Sequence, residues 1–306
     1  MRKYEKEYYK WLLSQEKHVL ALLKELYKEA LEKLKKEIRD YTSGDSSWYA
    51  QRIYQPEYQE ILAEQISDAL DRLHKQEYDS IEDYLRDSYT NGFVGVAMSM
   101  HRQGVPVIMP LDEEQIIRAL VTDSQVKKGL YDALGVDVDR LKRAISDEMA
   151  RGIATNMSYG DIARNISHQM NISLAKARRI VLTEAHRIRE AASQNARVQA
   201  REQGADVLKQ WDATMDGRTR KTHRKLDGQI REVDEPFEVD GKKAMYPGGF
   251  GRPEEDINCR CVALTRARWA MDEEELERLK KRAEFFGLDK TEEFEEFKRR
   301  YMNAVQ

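Results

Sequence analysis

The sequence predicts an α+β protein: a mostly α-helical N-terminal region, then a small domain in which a long helix packs on a short antiparallel sheet, then a C-terminal helical tail. Three observations carry this reading. Apolar residues recur at helical spacing among charged ones as far as Gln203. Two Asp-Gly pairs, Asp227-Gly228 and Asp240-Gly241, then flank short extended runs, the pattern of hairpin-like turns. After Trp269 the helical spacing returns.

The elements follow in order. Over residues 8–40, Leu12, Leu20, Leu23, Leu26, Leu31, Leu34 and Ile38 form one apolar stripe on an amphipathic helix. Such a stripe packs within its own chain or docks on a partner, and both readings stand at this point. Residues 41–47 read as a turn or linker. A second helix is expected over 56–88, with Ile61, Leu62, Ile66, Leu70, Leu73 and Tyr78 toward one side, and Asn91 with Gly92 as punctuation. Residues 105–109, after Gly104 and around Pro106, read as a short extended border.

Helices are expected again over 112–120, over 125–134 with Gly135 as the stop, and over 139–154. Ser158 with Asp161 has the form of a capping box for a short helix through Met170, and Asn171 or Ser173 would cap the next, long one. The extended stretches 208–214, 229–233, 237–239 and 259–264 give the sheet, and 245–253 is a Gly/Pro-rich loop. The tail is a helix over 272–286 stopped by Gly287, then a helix capped by Thr291. This divides the chain into a helical region 1–104, a helical connector 105–170, the α+β domain 171–268 and the tail 269–306.

Composition narrows the function classes. A chain of 306 residues should form about two or three domains. Its charged fraction of 35% against 8% aromatics suits long solvated helices better than an enzyme barrel. A net charge of −3 gives no global electrostatic case for nucleic acid, so any such contact is local. The start, MRKYEKEYYKW, lacks a signal-peptide apolar region, and no stretch approaches the roughly 18 apolar residues needed to span a bilayer, so a soluble protein made in the cytosol, without membrane contact, is expected.

Several residues carry chemistry. On the helix beginning near Leu174, Ala177, Val181, Ile188 and Ala191 fall within about 60° of Glu184, which therefore points into the apolar stripe together with Asn195. A buried carboxylate is costly unless paired, so Glu184 needs a partner: Arg187 one turn on, His223, or backbone N–H groups before Cys259. Either it is a catalytic acid or base of raised pKa, or it anchors a structural polar network of Glu184, Arg187, Asn195 and His223. The anchor reading is preferred.

Cys259 and Cys261 are the chain's only cysteines. Two apart in a run of β character, they emerge on one face, and a disulfide between them would be strained. They could supply half of a tetrahedral zinc site, with His223 as third ligand and His186 or Asp216 as fourth, or else be buried free thiols beside a hydrogen-bonded histidine. Between residues 209 and 231, Lys209, Arg218, Arg220, Lys221, Arg224, Lys225 and Arg231 face three acids, Asp212, Asp216 and Asp227. Arg218, Arg220, Lys221, Arg224 and Lys225 are the candidates for phosphate contact with DNA, against the alternative of a solvated charged face. The glycines at 248, 249 and 251 lack the GKS or GKT of a phosphate cradle and are read as turn-formers.

Thr183-Glu184 with Arg187, Trp211-Asp212, Asp216-Gly217 with Arg218, His223 followed by Leu226-Asp227-Gly228, the Pro247-Gly248 turn and the run Asn258-Cys259-Arg260-Cys261 together resemble the C-terminal domain of the Mu F-like minor head proteins, the head morphogenesis family of tailed bacteriophages. The resemblance covers about residues 158–267. Leu182 departs from it, standing where the family often has Arg. The resemblance implies a minor head protein bound near the portal, built into the prohead from the host cytoplasm and held inside the capsid of the virion. Portal, major capsid or scaffolding proteins would be its partners, with double-stranded DNA as a further contact. A non-enzyme is therefore expected. The rivals are a metal-dependent nuclease or other hydrolase using His223, Glu184 and Asp216, and a DNA-binding structural protein. In the wider family similar domains are joined to toxin effectors; the roughly 40 residues after this domain are few for an effector fold.

Overall fold

The computed structural model describes residues 1–42, 56–121, 129–155, 157, 159–268 and 273–305. Five helices come first: α1 Lys3–Thr42, α2 Pro56–His101, α3 Glu113–Val121, α4 Gly129–Ala154 and α5 Tyr159–Glu202. Then follow β1 Val207–Asp212, α6 Lys221–Leu226, β2 Ile230–Glu232, β3 Phe237–Val239, β4 Lys242–Ala244, α7 Pro253–Asp256 and β5 Val262–Ala267. Helix α8, Glu273–Phe285, a 3-10 turn, Leu288–Lys290, and α9, Phe294–Val305, end the chain. The fold is α+β. The turn expected at 41–47 falls almost wholly outside the described residues, as does Ser158 of the expected cap.

The helices are longer than their local signals allow, and the reasons are tertiary. Helix α2 runs through Asn91 and Gly92, expected as a break. A Cβ at Gly92 would lie 2.2 Å from the carbonyl oxygen of Arg189 on α5, so this glycine serves close helix approach. Helix α4 runs through Gly135 in the same way, with the His74 ring 3.3 Å from where a Cβ would stand. The two helices expected on either side of residue 171 are one, α5. Ser173 is no cap there: it is buried and donates to Asp137.

Contacts divide the chain into two compact units, each drawn from discontinuous segments. One comprises residues 17–83 and 126–180. Its core holds Leu23, Leu34, Ile38, Leu70, Leu73, Ile81, Leu141, Ile145 and Ile166, so the α1 stripe is packed within the chain. Ile61, expected inward, is exposed, and Glu77 takes the buried place expected for Tyr78. The cost of burying Glu77 is met by neighbours: Tyr27 Oη donates to Glu77 Oε1 at 3.2 Å and lies 3.2 Å from Ser173 Oγ, while Lys176 Nζ donates to Asp137 Oδ1 at 2.7 Å. Burial pushes the Glu77 carboxyl up to about 8.

The other unit comprises residues 1–16, 84–125 and 181–306. Its antiparallel sheet has the order β2-β1-β5, and β3 pairs with β4 in a separate hairpin. That hairpin turns at Asp240 and Gly241, both at positive φ (49° and 74°), as a two-residue turn of right-handed strand twist demands. Gly228 also takes a positive φ, but its turn joins α6 to β2 and makes no hairpin. Residues 105–110 form no strand; the Tyr301 hydroxyl on α9 holds them by accepting from Met109 N (2.7 Å) and donating to Met109 O (3.0 Å).

Helix α5 binds this sheet with polar side chains. Edge strand β5 pairs with β1 on one side, and on its other side helix side chains meet the backbone. Glu190 accepts from Ala263 N (3.0 Å) and Arg197 donates to Ala263 O. Gln103 of the segment after α2 donates to Thr265 O (3.0 Å) and accepts from Ala267 N (3.1 Å). The unpaired groups of an edge strand are thus satisfied within the molecule. Gln194 donates to Val233 O at 2.6 Å, completing the row 190, 194, 197 along one helix face.

Candidate metal centre

The Asp216 carboxylate accepts from the Arg218 backbone N–H at 2.9 Å and from Thr219 Oγ1 at 3.1 Å, turning the chain into α6. That six-residue helix buries His223 and Leu226 and leaves Lys221, Arg224 and Lys225 exposed. The cysteines were expected in a strand, but both precede β5. Asn258 adopts φ 56° and starts an alternation: Cys259 and Cys261 turn inward, while Arg260 turns out to clamp Asp216 through two bonds of 2.6 and 2.8 Å. That clamp holds the Asp216 carboxyl far below the usual range and takes it away from any metal.

Inside, the Sγ atoms of Cys261 and Cys259 lie 3.3 and 3.7 Å from His223 Nδ1. Among the described residues these three make the one group of metal-ligating side chains that converges, with ligand atoms within 4.8 Å of one another. The far nitrogen of His223, Nε2, lies 3.2 Å from Glu255 Oε2, and Glu255 is held by Thr222 Oγ1 (2.9 Å) and by Lys242. Rings enclose the site: Trp211 meets His223 edge-on at 5.7 Å and Phe250 stacks on it at 6.0 Å. The Asp256 carboxylate fixes Phe250 by accepting from its N–H at 3.1 Å and from Arg252 N at 3.0 Å.

The thiols behave as a pair. The Cys259 thiol faces Cys261, which raises the former and lowers the latter; burial adds to the rise of Cys259, while Trp211 and the Thr214 backbone help to hold Cys261 down. His186 stands beside Cys259 and, with His223, lowers its thiol, opposing that rise. Arg189 Nη2 lies 3.1 Å from His186 Nδ1, and a guanidinium can only donate, so the proton of neutral His186 sits on Nε2. Gly248, at φ 80°, lets the loop press on this ring: a Cβ there would lie 3.1 Å from its Cδ2.

The remaining expected residues lie elsewhere. Glu184 is buried and its Oε2 accepts from Arg187 Nε and Nη2 at 3.0 Å each; Arg187 Nη2 also donates to Ala119 O at 3.0 Å. Asn195, expected on the buried stripe, is exposed and donates to Tyr89 Oη at 3.0 Å, because at that height residues 193, 194, 196 and 197 are the ones turned to α2 and the sheet. Of the basic run, Arg220 donates to Ile257 O (2.6 Å), Arg224 to Asp216 O (2.8 Å), and Lys225 to Asp240 (2.8 Å). Lys209 is no surface charge: it is fully buried, its Nζ donating to Val233 O (3.0 Å) and Met245 O (2.9 Å), and burial lowers its pKa to about 7.

A cleft of ≈ 860 Å³ in this unit is lined by His186, Arg189, Arg218, Arg220, Cys259 and Arg260 among others; neither Glu184 nor His223 lines it. The sequence reading missed Glu190, Gln194, Arg197 and Glu255. Glu190 and Arg197, seven residues apart with Gln194 between them, carry a periodic signal, but it is indistinguishable from that of a solvated face.

A long helix fastened by buried charges to the edge of a small antiparallel sheet, with a cysteine–histidine cluster at the sheet's end, defines the class of domain. Residues 143–264 match the family described as phage Mu protein F like protein. Over that stretch the chain carries a domain similar to the Mu F-like minor head proteins. It is 36% identical over 121 residues to the minor head protein GP7 of Bacillus phage SPP1, which covers 39% of this chain and 39% of that protein. It is 30% identical over 240 residues to an NAD(+)–arginine ADP-ribosyltransferase of Enterococcus faecalis, covering 78% of this chain and 49% of that one. The chain thus spans half or less of the length of these relatives. No solved structure matches it. Among the described residues no helix is long and apolar enough to cross a membrane.

Proposed function

We propose that the chain is a minor structural component of a tailed-phage head, bound near the portal, taken into the prohead in the host cytoplasm and retained inside the capsid of the virion. The observation that carries this is the Mu F-like domain itself, shared with a protein named as a minor head protein. The build of the domain supports it. Its buried charges serve to fasten a helix to a strand, and Glu184, Asp216 and His223, the set a hydrolase would need, each have a separate partner. Portal, major capsid and scaffolding proteins are the partners this role requires. Double-stranded DNA is a further one, through Arg218, Lys221 and the less committed faces of Arg220, Arg224 and Lys225.

The test is co-expression with the portal, coat and scaffolding proteins of the same phage, followed by isolation of proheads. Recovery of the chain with proheads or with portal alone is the expected result. Proheads of normal shape formed without it, together with no co-purification with portal, would overturn the reading.

The similarity to an ADP-ribosyltransferase favours a second reading, in which this chain modifies arginine with NAD. The shared stretch is about half of that relative, so the first reading assigns it to particle attachment and leaves the activity to that protein's other part. Incubation with labelled NAD and an arginine-rich acceptor separates the two; label transfer would favour the second.

A further inference from the structure

We propose that Cys259, Cys261 and His223 bind one zinc ion, which ties α6 to the segment entering β5 and so closes the end of the sheet. A tetrahedral zinc with Zn–S of about 2.3 Å and Zn–N of about 2.0–2.1 Å sets its sulfur and nitrogen ligands roughly 3.5 Å apart. The observed separations from His223 Nδ1 are 3.3 and 3.7 Å. All three side chains are at most 5% exposed, so an ion here would be held away from bulk water on the protein side.

The groups around the three donors have the chemistry that a bound cation requires. Glu255 Oε2 lies 3.2 Å from Nε2 of His223, near though not aligned as a hydrogen bond, so the carboxylate favours the ring proton on that nitrogen and the Nδ1 lone pair on the metal side; a carboxylate behind a ligating histidine is a recurrent support for zinc. Two thiolates and one divalent ion are neutral together, which suits an enclosure of Trp211, Phe237 and Phe250. His186 supplies a further, independent sign. Its buried Nε2 has no aligned hydrogen-bond partner in the protein, carries the ring proton, and stands beside Cys259. An N–H in that place donates to a metal-bound thiolate and so assigns His186 a supporting role in place of the fourth-ligand role considered from the sequence.

The experiment uses the full chain expressed in zinc-supplemented medium. Elemental analysis should find about one zinc per chain, and a strong chelator should lower the melting temperature and release it. Replacement by cobalt(II) should give thiolate-to-metal charge-transfer bands in the near ultraviolet and visible d–d bands of a tetrahedral ion. Cys261→Ser and His223→Ala should lose the metal. Because these could simply misfold, Glu255→Gln is the second variant: it keeps all three ligands and should weaken zinc binding by about 10- to 100-fold. Wild-type chain that folds without zinc, gives no cobalt spectrum and keeps its melting temperature when zinc is added would overturn the proposal, as would unchanged affinity in Glu255→Gln.

Discussion

Glu190 on α5 accepts the backbone N–H of Ala263 on β5 at 3.0 Å, in the place where a neighbouring strand would offer a carbonyl. Arg197, two turns on, binds the carbonyl of the same residue and the Thr265 hydroxyl (3.0 Å). Helix α5 therefore acts on the sheet as a further strand would, through ionised side chains. Burial raises the Glu190 carboxyl pKa and lowers that of Arg197, so each charge depends on the other staying in place.

Glu190→Ala leaves the Ala263 N–H without its acceptor and the buried guanidinium groups of Arg189 and Arg197 without their neighbouring negative charge. It should cost about 3–5 kcal/mol, the usual effect of removing one partner of a buried pair. Glu190→Gln keeps an acceptor oxygen and should cost less. Urea denaturation of the two variants checks the order, and equal losses would show that the acceptor oxygen contributes nothing beyond the charge.

Arg187 is the partner of Glu184, so Arg187→Met should strand a buried carboxylate and destabilise by a similar 3–5 kcal/mol. Adding Glu184→Leu removes the stranded charge and should restore more than half of the loss. A double variant no more stable than the single one would mean that the Arg187 bond to Ala119 O, and not the ion pair, is what matters.

Glu77 predicts a pH dependence. Its folded pKa, about 8, lies above its ordinary value of 4.5 because burial disfavours the anion. Below 4.5 both folded and unfolded chains hold the proton. Between 4.5 and 8 the unfolded chain releases it while the folded chain retains it, so stability falls as pH rises, by at most about 1.4 kcal/mol per unit. Above 8 both are ionised and the loss levels off. Denaturation curves from pH 5 to 8 should show this slope, and Glu77→Gln should flatten it.

Gly92→Ala places a methyl 2.2 Å from the Arg189 carbonyl oxygen, a backbone atom that cannot step aside. The helices must part, at a cost of about 1–3 kcal/mol or more. Gly217→Ala, where nothing lies within 4 Å, is the matched control and should change stability by less than about 0.5 kcal/mol. Thermal melts of the two proteins make the comparison.

What the sequence determined by itself is what local geometry determines. The α+β class follows from periodicity that changes along the chain, and the hairpin at Asp240 and Gly241 from the positive φ that its turn demands. The shared inward face of Cys259 and Cys261 follows from two-residue alternation, although β5 itself begins only after them. Tertiary structure decided how far each helix runs and which charges go inside. Gly92 and Gly135 look like breaks and Ser173 like the cap of a new helix, yet each lies within a helix because a distant segment packs on it or bonds to it. Glu190, Gln194 and Arg197 look like a solvated face, yet they are buried because β5 and the β2 end bring backbone groups needing partners. The physical reason is the same in both cases. A backbone angle is chosen by its neighbours in sequence, whereas burying a charge is decided by whether a partner arrives from elsewhere in the chain.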